Sequence, residues 1–148
     1  MSTNDKFRVV EAMLHNYKNT CAEIKILKRD LEILENDYKG VNAISYEEKS
    51  SPTNAFNSNV ENEVIKRAEK IQRLKSDIRL KEIEIENIDD VIEALDDRAA
   101  YMIKEFYFNK RQLKIISSEI HLDENYSSAY KTSVIENLVN LIFVKERT

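Results

Sequence analysis

The sequence predicts an all-α protein: a long antiparallel helical hairpin of the coiled-coil kind over residues 1–95, then a small helix-turn-helix domain over 96–148. Three observations predict it. The 148 residues include one Gly and one Pro, against averages of about 7 % and 5 %, too few for the turns of sandwiches, barrels or doubly wound sheets. Two long segments repeat apolar residues at heptad spacing. The last third changes to short apolar stripes separated by polar capping residues.

The first segment runs from Asn4 to Tyr38. Val10, Met13, Tyr17, Ile24, Leu27, Leu31, Leu34 and Tyr38 repeat at alternating steps of three and four, with one step of seven where Thr20 takes the core slot. Gly40, just past the last periodic residue, is placed to end the helix because it accepts the left-handed conformation. Residues 39–57 hold the only Gly and the only Pro, Pro52, together with Ser50, Ser51, Thr53, Asn54 and Asn57, and read as the loop of the hairpin.

The second segment runs from Ser58 to Leu95. Ser58 followed by Glu61 is a capping-box pattern, in which each side chain satisfies a free N–H at a helix start. Ile71, Leu74, Ile78, Ile85, Ile88, Ile92 and Leu95 form the stripe, with Lys81 in the missing slot. The charges between them make a solvated outer face. Two helices alone bury a thin core, so the hairpin either dimerises or leans on the C-terminal part.

The third segment has a shorter rhythm. Asp96 or Asp97 can cap a helix through Phe108, and Asn109, Lys110, Arg111 and Gln112 read as a polar turn. Leu113 to His121 makes a second short helix. Asp123 can cap a third that runs to Val144, with Tyr126, Tyr130, Val134, Leu138 and Ile142 at steps of four and Ala129, Ile135 and Leu141 widening the stripe. Short helices joined by tight turns are the makings of a helix-turn-helix unit.

Composition excludes several functions. One Gly cannot build a phosphate-cradling glycine loop. The single cysteine, Cys21, forms no intramolecular disulfide and no multi-cysteine zinc site, and suits a reducing cytoplasm. No apolar run approaches the roughly 18 residues of a membrane span. His15 and His121 lie in different segments without a second ligand at metal spacing. Neither a metal, a cofactor nor an enzyme activity is expected.

The net charge of −4 disfavours nucleic-acid binding by bulk charge. The charge is unevenly spread, however. Residues 1–96 carry 15 basic and 20 acidic side chains, net −5; residues 97–148 carry 8 basic and 7 acidic, net +1. The terminal part is therefore less hostile to double-stranded DNA than the whole.

In a helix-turn-helix the second helix enters the major groove, its early residues meet base edges, and flanking cations hold phosphates. The base-facing candidates are Asn125, Ser127, Ser128, Lys131 and Thr132. Lys110, Arg111 and Lys114, at the preceding turn, are the backbone-gripping candidates. The competing reading is a small helical cap on the coiled coil.

The stretch from Ile88 to Leu138 resembles the fourth region of bacterial sigma factors, and more closely the sigma-like phage regulators of the ArpU and RinA type. The resemblance is carried by Leu95 and Arg98 in a Leu-x-x-Arg pattern, by Phe106, Tyr107 and Phe108 before the polar turn at Asn109 to Arg111, and by Leu113, Ile116, Ser117, Ile120, Leu122 and Leu138. Ser51–Pro52 and Val60–Glu61 match the loop and second helix start of the same proteins. The resemblance implies a DNA-binding transcription regulator of phage or mobile-element origin. The hairpin would then serve dimerisation or contact with RNA polymerase. An adaptor or small terminase-like assembly protein with a degenerate helix-turn-helix is the alternative.

Overall fold

The computed structural model describes residues 1–47 and 54–147, with side chains over 1–37 and 59–147. Its regular structure there is entirely helical: α1 (Thr3–His15), α2 (Tyr17–Glu47), α3 (Asn54–Glu93), α4 (Asp97–Ile103), a π turn (Lys104–Phe108), α5 (Leu113–Glu119), α6 (Glu124–Ile142) and α7 (Val144–Arg147). No described helix is long and apolar enough to cross a membrane.

Helix boundaries follow local chemistry. Ser2 and Asp5 form a capping box at the start of α1. The Asp96 carboxylate accepts from the Ala99 N–H at 2.8 Å, and Asp123 accepts from Asn125 at 2.9 Å. Both satisfy donors that a helix start leaves free. The expected single N-terminal helix is interrupted at Asn16, where the His15 carbonyl accepts from Lys110 Nζ at 2.9 Å.

The loop is shorter than residues 39–57. Gly40 does not end the helix, since α2 continues to Glu47. A single mid-helix Gly costs about 1 kcal/mol, which a helix of 31 residues absorbs. Helix α3 begins at Asn54, upstream of the Ser58–Glu61 pattern, which therefore lies within the helix rather than at its start. Ala55 and Phe56 contain no breaker that would delay the start. Pro52 and residues 48–53 lie outside the described residues.

The chain forms two compact units, Met1–Cys21 with Ile83–Thr148, and Ala22–Glu82. In the unit Ala22–Glu82, Ile24, Ile71 and Ile78 are buried. Lys81, in the slot that interrupts the apolar repeat, reaches Glu23 at 2.9 Å, and Lys75 reaches Glu35 at 3.2 Å. Arg67 donates to the Asp37 carbonyl at 3.5 Å. Partners descend along one segment as they ascend along the other, so the two segments lie side by side in opposite directions.

The other unit holds the larger core. Val10 and Leu14 of α1 are sealed among Ile88, Ile92, Ala99, Ile103, Tyr107, Val134, Ile135 and Leu138. The reason α1 belongs here is its own apolar face. Leu14, not the heptad residue Met13, is the fully buried position, and Met13 is only partly covered. The Tyr17 ring stacks on Phe108 at 4.1 Å, and its hydroxyl donates to Asp89 at 2.6 Å.

Candidate nucleic-acid interface

Four residues, Ile120 to Asp123, separate α5 from α6. The turn is a Schellman closure: Leu122 N–H bonds the Ser117 carbonyl at 2.8 Å and His121 N–H the Ser118 carbonyl at 3.4 Å. This pattern requires a left-handed residue after the helix cap. His121 supplies it, at φ 56°, where a glycine is the commoner choice. Arg98 closes the turn from α4. Its Nε donates to the Ile120 carbonyl and its terminal nitrogen to the His121 carbonyl, both at 3.1 Å.

Helices α5 and α6 meet through serines. The hydroxyls of Ser117 and Ser127 lie 2.5 Å apart, and Ser127 also donates to the Asp123 carbonyl at 2.9 Å. Ser127 is 2 % exposed. It was expected at a base edge, but it faces inward, because it falls on the same side of α6 as Val134 and Leu138. It joins the two helices.

The three expected turn cations separate. Lys110, left-handed at φ 55°, is tied to α1: its ammonium donates to the His15 carbonyl and lies 3.2 Å from His15 Nδ1. Arg111 is held by Glu105 at 2.8 Å and by Glu119, with Tyr101 beside it. Those bonds raise the guanidinium's affinity for its proton and hold the Glu119 carboxyl down at about 2. Arg111's charge is thus spent within the fold. Lys114 is exposed near the start of α5.

On α6, Lys131 sits 4.1 Å over the Phe106 ring and 5.9 Å from that of Tyr107, a cation–π arrangement. Asn125 and Ser128 are exposed, and Thr132 is half-buried. The remaining outer positions were missed by the sequence reading. Tyr126 is 55 % exposed, and Ala129 and Ser133 are exposed with it. The expected stripe holds at Val134, Ile135 and Leu138, which are buried, and at Tyr130 and Ile142, which are partly buried against the core. Four residues advance about 400°, so each step drifts about 40°. The ends and edges of the row, Tyr126, Ala129 and Leu141, therefore face outward, while Ser127 and Val139 join the buried face.

His15 lies edge-on to Tyr107 at 4.7 Å. Burial and then Lys110 push its imidazole pKa down, with Lys131 adding to this and Glu11 opposing it. An ammonium can only donate, so Nδ1 facing Lys110 is the acceptor of a neutral ring. Tyr107 is fully buried and donates to Glu11 at 2.7 Å. Among the described residues no group of three His, Cys, Asp or Glu is arranged to hold a metal.

The chain matches no family model, no curated sequence and no solved structure.

Proposed function

We propose that the chain is a DNA-binding transcription regulator of phage or mobile-element type. In this reading α5, the Ile120–Asp123 turn and α6 form a helix-turn-helix, and the outer face of α6 lies in the major groove. The two oppositely directed segments of Ala22–Glu82 form a helical hairpin that contacts a second copy or RNA polymerase. The observation that carries the reading is the turn itself. A four-residue Schellman closure, clamped by Arg98 and joined by Ser117 and Ser127, presents the first turns of α6 outward. Such a motif seats its second helix by its N-terminal residues.

The cations available for phosphate are few. With Arg111 paired to Glu105 and Glu119, Lys110 bonded to the His15 carbonyl and Lys131 over the Phe106 ring, Lys114 is the leading phosphate ligand of the expected set. Weak binding per copy is the consequence, and a dimer or a polymerase would raise it by effective concentration. The test is fluorescence polarisation of the full chain with random duplexes and with duplexes from upstream of phage operons. Binding at micromolar protein that weakens as salt rises supports the reading. Its absence from every duplex at low salt overturns it.

A second reading, an adaptor or assembly protein with a degenerate helix-turn-helix, is favoured by one observation. The exposed face of α6 carries Glu124 and Glu136, which repel phosphate. That reading predicts no salt-dependent duplex binding.

A further inference from the structure

The outer face of α6 is unusual in what it lacks. Guanine is read most often by Arg or Lys through its O6 and N7 acceptors. Lys131 is the only cation on α6, and its ammonium is turned onto the Phe106 ring. Arg111 is fixed by Glu105 and Glu119. What faces out in the first turns is Asn125, Tyr126, Ser128 and Ala129, with Thr132 at the edge. An Asn amide pairs with adenine N6 and N7, while methyl groups such as those of Ala and Thr pack on the thymine methyl.

We infer that this face reads adenine–thymine pairs, with Asn125 as the residue that recognises adenine and Ala129 and Thr132 accommodating the thymine methyl. The inference rests on the reading of α6 as the groove helix and names the class of site it takes. Glu124 and Glu136 do not oppose the assignment: a carboxylate can accept from the adenine N6 amino group as well as from the cytosine N4 amino group, and it cannot donate to guanine O6 or N7. Asn125 is free to turn toward a base because the Asp123 cap engages its backbone N–H and leaves its exposed amide outside.

The test is competition binding of the full chain to duplexes that differ only in their central base pairs. The expected result is a preference of about tenfold for A·T over G·C centres. The preference is lost in Asn125→Ala and in duplexes whose central adenines lack the N7 acceptor, a change confined to the major groove. Ala129→Arg, which adds a guanine-reading fork to the same face, moves the preference toward G·C. Equal or better binding of G·C centres overturns the inference and leaves the DNA-binding reading standing. So does a preference that survives Asn125→Ala. Absence of binding to any duplex overturns both.

Discussion

The hydroxyl of Ser127 lies 2.5 Å from that of Ser117 in the buried joint between α5 and α6. Each also donates to a carbonyl of its own helix start, Ser117 to Leu113 at 2.7 Å and Ser127 to Asp123 at 2.9 Å. Two protons serve three contacts, so the pair acts as one shared unit. Replacing either serine by Ala is expected to cost about 1 kcal/mol of stability. The double replacement should cost less than the sum, because the bond between them is lost only once. Ser127→Lys, which buries an unpaired cation, should destabilise far more than either. Urea denaturation of the four variants measures this, and simple additivity of the two Ala substitutions would count against a shared unit.

The core of α1 supplies a second expectation. Leu14 is fully buried, while Met13 is only partly covered. Leu14→Ala should therefore cost roughly 2–5 kcal/mol, in the range of other buried large-to-small changes, and Met13→Ala clearly less. The reverse order would restore the heptad register to α1.

That register shows where the sequence was legible and where it was not. Helical class, the caps at Asp96 and Asp123 and the polar turn at Asn109 to Gln112 are local events, each written in a few adjacent residues. The choice between Met13 and Leu14 is not local. Both lie within reach of a helical stripe, and the decision rests with α6, which covers α1 from over a hundred residues away. Gly40 misled for the opposite reason: its preference is local and weak, and the helix runs through it. Among the candidate site residues, Asn125, Ser128 and Lys114 stand on the surface as their types suggested. Ser127 could have been placed inside by the 3.6-residue period. The loss of Arg111 and Lys131 to internal partners could not, since Glu105, Glu119 and Phe106 reach them only through the folded turn.

The contact between His15 and Lys110 makes stability depend on pH. In the folded chain burial, and after it Lys110, lowers the His15 pKa, whereas in the unfolded chain it titrates near 6.5. Below that value the unfolded state binds more protons, so this contribution is present above about pH 6.5 and is lost as pH falls through it. The urea midpoint is expected to drop between pH 7.5 and about 5.5, and His15→Gln should flatten the drop. The carboxyls whose pKa values are lowered, Asp5, Glu146 and Glu119, contribute above their unfolded range near 4 and weaken only at more acid pH, outside this window. A midpoint unchanged across the window would remove the role assigned to His15.

Arg111 and Lys114 stand three residues apart, and sequence assigns both to phosphate, but their surroundings separate them. Arg111 bridges Glu105 and Glu119, and Arg111→Gln leaves those two carboxylates facing each other without a cation. Stability should fall. The salt dependence of DNA binding should not change, since that charge was already neutralised within the fold. Lys114 is exposed at the start of α5, and Lys114→Gln should leave stability within about 0.5 kcal/mol. If Lys114 holds a phosphate, its loss removes one released counterion and lowers the salt slope by about 1. Measuring the polarisation of a labelled duplex across a salt series, beside urea denaturation, separates the two effects. A shallower slope in Arg111→Gln would mean that DNA competes Arg111 away from Glu119. An unchanged slope in Lys114→Gln would move the phosphate contact elsewhere on the unit.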